Sequence, residues 1–177
     1  DFVSVLPCSE VTADDMAPPV SIVNGAEPAA NLIEISTAGG LCAYASRPRH
    51  VVVDVVAEWG VGSLAFWPVT PTRVLDTRTG IGHVGAVRPG AWTAVSVQSG
   101  PFVPAGLFGT MTVVHPLASG FASISATTVG PPATSTVQLG HADAADEAAV
   151  AGTELDVYTS ATCDVLFDVT GFFAPTS

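Results

Sequence analysis

The chain contains an internal repeat, and this feature constrains its fold more than any other. Residues 41–59 align without a gap with residues 155–173, and the aligned pairs include Tyr44 with Tyr158. Two shorter upstream segments also match, 1–5 with 120–124 and 21–24 with 135–138. A block that recurs at a fixed spacing indicates one supersecondary unit used more than once.

The repeat predicts an unequal organisation of the chain. Residues 1–59 correspond to the second half of a unit, residues 60–67 to a linker, and residues 68–173 to a complete unit. The chain therefore carries a 1.5-fold repeat. Packing of both parts as one compact domain is an alternative to two separate bodies.

Composition and local pattern indicate that each unit is built from strands. The 17 glycines and 14 prolines are spread between short runs rich in Val, Ile, Thr and Phe, which is typical of all-β proteins. Predicted strands are 51–56, 93–97, 109–114 and 121–126, the first covered on both faces. Residues 142–151 have helical propensity, but 145–150 align with the strand-like 31–36, so we predict a strand there. We expect an antiparallel β-sandwich of the jelly-roll or immunoglobulin-like kind.

The charge balance excludes several classes of partner. The net charge is −11, and all five basic residues are arginines. Nucleic-acid binding needs a cluster of cations to displace counterions, and anionic membrane surfaces attract the same cations. No apolar run approaches the roughly 20 residues that a membrane span requires. We therefore predict neither nucleic-acid binding nor membrane insertion.

The string from Pro71 to Arg78 (Pro-Thr-Arg-Val-Leu-Asp-Thr-Arg) is the most specific motif in the chain. It resembles the signature of an all-β repeat found in secreted and surface proteins of actinobacteria. Residues 87–90, 103–106 and 167–173 resemble the two turns and the closing strand of that repeat. The resemblance implies an all-β fold and an extracellular location, often beside peptidoglycan hydrolases, and it brings no catalytic residue with it.

The same resemblance bears on the three cysteines. The related repeat carries cysteines at the places that Cys8 and Cys42 occupy here, which implies a disulfide between them. Cys163 is left over, and it is either a buried thiol or a residue that pairs with another chain.

Charged residues within apolar segments are the main site candidates. Arg73, Asp76 and Arg78 form either structural ion pairs or a clamp for an anionic ligand, and the structural role is favoured. Asp54 and Asp168 occupy equivalent points in the two copies, so each needs a partner, for which an arginine of the signature is the natural candidate. A catalytic carboxylate pair is the alternative, which the repeated context disfavours.

One acidic cluster and four aromatic residues complete the candidates. His141 with Asp143, Asp146 and Glu147 is a weak candidate for a calcium site, with a solvated acidic loop as the preferred interpretation. No other metal site, no cofactor and no catalytic residue is predicted. Four aromatic residues are candidates for contact with a sugar or a partner: Trp59, Phe66, Trp67 and Trp92.

These observations predict an extracellular, non-catalytic structural or assembly module that associates with itself or with a neighbouring subunit. The alternative is a module that binds carbohydrate or cell wall and accompanies an exported hydrolase.

Overall fold

The structure is a computed structural model that describes residues 2–8, 11, 21–22, 40–48, 50–51, 53, 62, 64–97, 104–126 and 130–176. Its internal contacts divide the chain into two compact units, Asp1–Val53 and Asp54–Ser177. Within the described ranges the regular secondary structure is eleven β-strands, with no α-helix. The predicted all-β class is therefore confirmed.

The N-terminal unit contains a three-stranded antiparallel sheet. Its strands are β1 (Phe2–Pro7), β2 (Ser21–Ile22) and β3 (Leu41–Ala45), in the order β2-β1-β3. A disulfide joins Cys8, just after β1, to Cys42 in β3, with the two Cα atoms 4.9 Å apart. This confirms the expected pairing, and a disulfide here is consistent with folding in an oxidising environment.

The C-terminal unit is a sandwich of two four-stranded antiparallel sheets. One sheet has the order β5-β10-β7-β8 and the other has the order β4-β11-β6-β9. The strands are β4 (Leu64–Asp76), β5 (Trp92–Val95), β6 (Gly106–Val114), β7 (Gly120–Ser125), β8 (Val137–Leu139), β9 (Ala144–Ala151), β10 (Leu155–Thr159) and β11 (Asp164–Pro175).

The core of the sandwich lies between the two sheets and follows from the alternation of side chains. Leu155, Val157 and Thr159 on β10 are buried, whereas the residues between them are only half-buried. The largest fully buried side chains include Phe167, Leu75 and Met111. Burial of one such side chain stabilises the fold by about 1.5–3 kcal/mol, so the sheets are held mainly by apolar contact.

Strand β11 is central in its sheet and is irregular after Val169. Its register against both neighbouring strands shifts between Val169 and Gly171. Gly109 on β6 lies so close to β11 that a Cβ at this position would collide with the backbone carbonyl of Asp168. Glycine is therefore required at that position, because the two backbones approach closely.

The predicted linker at 60–67 is partly strand. β4 begins at Leu64, and its first residues pair with the end of β11, from Leu64 opposite Pro175 to Trp67 opposite Phe172. The alignment could not show this, because the strand extends beyond the repeated block.

The segment with helical propensity is a strand, as the repeat predicted. β9 pairs with β6 over eight consecutive residues and buries Ala148 and Val150. Tertiary pairing thus overrides the local preference of alanine and glutamate for helix.

The predicted strand 51–56 does not match its described residues. Val51 and Val53 lie outside any strand and are 40% and 53% exposed, and the other four residues lie outside the described ranges. β-branched composition favours a strand, but it carries no information on whether a second layer covers it.

Strand β4 is the edge of its sheet among the described strands and contains two prolines, Pro68 and Pro71. Proline lacks an N–H donor and is confined largely to edge strands, so this part of the sequence agrees with its position in the fold.

Candidate functional site

The signature string ends β4 and forms the turn that follows it. Leu75 is fully buried in the core, and the backbone carbonyl of Asp76 accepts hydrogen bonds from the amides of Thr79 and Gly80. Gly80 has a φ of +84°, a conformation that favours glycine. The string therefore joins a core strand to a tight turn.

The carboxylate of Asp76 is the centre of a charged cluster. Arg78 donates from Nε to Oδ1 at 3.0 Å and from Nη2 to Oδ2 at 2.8 Å, and its amide donates to Oδ1 at 3.1 Å. Arg73 Nη1 donates to Oδ2 at 3.2 Å. Asp76 is only 2% exposed, and the hydrogen bonds from Arg78 lower its pKa from 3.8 to about 2.

Arg73 also forms a two-pronged ion pair with Asp168 on the adjacent strand. Nε donates to Oδ1 at 2.9 Å and Nη2 donates to Oδ2 at 2.8 Å. The two residues lie opposite each other where β4 pairs with β11. The hydrogen bond to Asp168 is the main cause that raises the pKa of Arg73. Both arginines thus bind carboxylates of the chain itself, which is a geometry for holding strands together rather than for clamping an external anion.

Thr77 extends the cluster to the start of β11. Its hydroxyl donates to Asp164 Oδ1 at 2.8 Å and accepts from the amide of Val165 at 3.1 Å. Sequence reasoning missed this link, because a threonine within the string gives no sign of its partner. Asp54, the predicted equivalent of Asp168, lies outside the described residues.

The acidic candidates do not converge. Asp146 and Glu147 are consecutive residues of β9 and so lie on opposite faces of the sheet, while Asp143 accepts a hydrogen bond from the amide of His115. In the described part of the chain no group of three His, Cys, Asp or Glu side chains could hold a metal ion. The predicted acidic loop is wrong for Asp146 and Glu147, because they belong to a strand.

Asp146 lies on the inward side of β9, with the buried Ala148 and Val150, and β9 is the second edge of its sheet among the described strands. Asp146 is opposite the fully buried Met111, and desolvation by burial raises its pKa. An inward-facing charge on an edge strand is a known means of discouraging further strand pairing.

Cys163 is buried in the core and is 2% exposed. Burial raises the pKa of its thiol to about 11. Of the two interpretations left open, the buried thiol is therefore correct, because an inaccessible protonated thiol is unsuited to pairing with another chain.

The aromatic candidates separate into two groups. Phe66 packs against Phe108 and Phe173, with ring centroids 5.8 and 5.4 Å away, and Trp67 beside it is 49% exposed. Trp92 belongs to the opposite sheet, where its ring meets that of Tyr158. Trp59 lies outside the described residues.

Comparison of the chain with protein-family models, curated proteins and solved structures gives no match. Among the described residues, no helix has the length and apolar character needed to cross a membrane.

Proposed function

We propose that the protein is an extracellular, non-catalytic structural module that self-associates through the edge of its N-terminal sheet. The observation that carries this proposal is a shared strand register. Ser4 lies opposite Tyr44 in the N-terminal sheet, and the aligned residues Ser123 and Tyr158 lie opposite each other in the sandwich.

The register agrees along the whole of the shared pairing. Val3 opposite Ala45 corresponds to Ala122 opposite Thr159, and the sheet order β2-β1-β3 corresponds to β8-β7-β10. Only β2 departs from the sequence alignment. Ser21 takes the place of Val137 rather than Ser135, a shift of two residues.

The two sheets differ at one edge. In the sandwich, β5 pairs with β10 and places Trp92 opposite Tyr158. Among the described strands of the N-terminal unit, β3 is an edge, and Leu41 and Tyr44 are 41% and 51% exposed. An edge strand presents backbone donors and acceptors that can pair with another chain.

The partner that we propose is the edge strand β5 of a second copy. β5 is short and, among the described strands, lies at an edge of its own sheet. Because two different edges meet, the contact is heterologous and can continue from copy to copy.

Two further observations support a non-catalytic, extracellular role. The signature arginines and aspartates neutralise one another, and the one free cysteine among the described residues is buried. The Cys8–Cys42 disulfide and the resemblance to a secreted repeat favour an oxidising, extracellular location.

The test is the solution mass by light scattering over a range of concentrations. We expect a mass above the 17.9 kDa of one chain that rises with concentration. Ala43→Lys, on the exposed β3 edge, should lower the mass, since lysine on an edge strand opposes pairing. Ala133→Lys adds the same charge in an exposed turn and should have no effect. A 17.9 kDa species at every concentration would contradict the proposal.

A further inference from the structure

The outward face of the sheet β5-β10-β7-β8 carries a row of aromatic side chains that the signature string does not involve. On β10, Leu155 and Val157 are buried and face the core, so Asp156 and Tyr158 face outward. Trp92 lies opposite Tyr158 on β5, and Phe121 lies on β7. The row therefore crosses three adjacent strands.

The rings form one continuous group. The centroids of Trp92 and Tyr158 are 5.6 Å apart at an interplanar angle of 61°, and those of Phe121 and Tyr158 are 5.7 Å apart at 20°. All three residues are half-buried. Tyr158 is central and contacts both neighbours.

The row is held in place by the segment 130–134. Trp92 Nε1 donates a hydrogen bond to the carbonyl of Gly130 at 2.7 Å, and Ser123 Oγ donates to the carbonyl of Thr134 at 2.6 Å. These bonds hold the Trp92 ring and place the segment over part of the same outward face, where Ser123, opposite Tyr158, is only 4% exposed. A ring whose orientation is already fixed loses little conformational entropy when it binds a ligand.

Polar groups share this face with the rings. Asp156 is two residues from Tyr158 on the same side of β10, with Ser125 opposite it, and Gln138 is opposite Phe121. Carboxylate, hydroxyl and amide groups next to aromatic rings match a sugar, which has apolar C–H faces and hydroxyl donors.

The negative charge of the protein favours uncharged sugars over anionic ones. The chain carries a net charge of −11, and Asp156 adds a carboxylate on the face itself. A polyanionic glycan would be repelled, whereas the hydroxyls of a neutral glycan can donate to the carboxylate.

We infer that this face binds an uncharged polysaccharide. Trp92, Tyr158 and Phe121 supply apolar contacts to the sugar rings, and Asp156 accepts hydrogen bonds from hydroxyl groups. The site includes Trp92 of β5, the strand whose edge is the proposed partner of β3, but it lies on the outward face of the sheet, and the inference does not rest on self-association.

The test is titration with three neutral polysaccharides, a β-1,3-glucan, a β-1,4-glucan and a dextran, with hyaluronan as the anionic comparison. Tryptophan fluorescence and affinity electrophoresis report binding. We expect saturable binding to at least one neutral polymer and none to hyaluronan. Failure of all three neutral polymers, or binding of hyaluronan alone, would overturn the inference.

Variants distinguish binding by the aromatic row from binding by an exposed tryptophan elsewhere. Tyr158→Ala should weaken binding at least tenfold, while Tyr158→Phe, which keeps the ring, should retain it. Asp156→Asn should weaken binding about fivefold with an unchanged thermal midpoint. Trp67→Ala removes an exposed ring from the other sheet and is the matched control. Equal binding by wild type and Tyr158→Ala, or loss only in Trp67→Ala, would show that the row is not the site.

Discussion

The N-terminal sheet and the sheet β8-β7-β10 of the sandwich share strand order and register, but they are stabilised in different ways. The sandwich buries large side chains such as Phe167 and Met111 between two layers. Among the described residues, the N-terminal sheet has the Cys8–Cys42 disulfide, and the sandwich has Asp156 at the place that Cys42 occupies. The difference teaches that one backbone pairing occurs with a covalent cross-link in one unit and without it in the other.

Removing the disulfide should have the largest effect on stability. This effect should be confined to the N-terminal unit. The bond spans a sequence separation of 34, and in the chain-entropy model its contribution is about 3–4 kcal/mol. In the double variant Cys8→Ser, Cys42→Ser we expect amide exchange in β1 and β3 to accelerate by about 100-fold or more. Hydrogen exchange with mass spectrometry measures this, and β4 and β11 should keep their protection.

Cys163→Ala is the matched control, since it removes the buried thiol of the sandwich and leaves the disulfide intact. It should accelerate exchange in β11 and β6 rather than in β1 and β3. Equal acceleration of amide exchange in both units after loss of the disulfide would contradict the prediction that this bond stabilises only the N-terminal unit.

Removing the central carboxylate of the charged cluster should affect the sandwich alone. Asp76→Asn leaves Arg73 and Arg78 without their shared anion near the core, and we expect a fall of about 5–10 °C in the Tm of the sandwich. Differential scanning calorimetry measures the shift. Glu154→Gln removes an exposed carboxylate from the same unit and should change the Tm by no more than about 1 °C.

The effect of Asp76 should also depend on pH in a defined direction. Hydrogen bonds from Arg78 hold its pKa at about 2, below the ordinary 3.8. The stabilisation is therefore complete above the ordinary pKa and disappears as the pH falls through about 2. The Tm difference between wild type and Asp76→Asn should shrink across that interval, and a difference independent of pH would contradict an ionic cause.

Replacing Asp146 should have the smallest effect on stability. It should raise the Tm, whereas replacing Asp76 lowers it. Burial raises the pKa of Asp146 above the ordinary 3.8, so the folded state disfavours the charge at neutral pH, and this penalty disappears as the pH falls through the raised pKa. Asp146→Asn keeps an acceptor for the amide of Glu147 and should raise the Tm by about 1–3 °C at pH 7, with no gain at pH 3.

Glu147→Gln removes the same charge from the outward face of β9 and provides the comparison. A rise in Tm as large as that of Asp146→Asn would indicate a general effect of net charge rather than the burial of Asp146.

The sequence was informative where a pattern is repeated or local. The alignment of 145–150 with 31–36 predicted a strand against local propensity, and β9 is a strand. The expectation that Asp168 needs an arginine of the signature string follows from the cost of a lone charge in an apolar strand, and Arg73 is its partner in the structure.

Contacts between distant segments could not be predicted in this way. The link from Thr77 to Asp164 joins two parts of the chain that no motif relates. The row of Trp92, Tyr158 and Phe121 depends on strand register, which sets which rings become neighbours. For Asp146 the repeat predicts a strand and the acidic composition predicts a solvated loop, and the pairing of β9 with β6 places it on the inward face of a strand.

The two prolines of β4 affect whether another chain can add a strand to this sheet. Pro68 and Pro71 lack the backbone N–H that strand pairing needs, while the inward-facing Asp146 opposes pairing at β9, the other edge of this sheet among the described strands. Both edges of this sheet therefore resist the addition of a further strand. If β3 of one copy pairs with β5 of the next, as we propose, every contact joins two unlike edges and this sheet adds no lateral contact by strand addition, so the assembly grows in one direction.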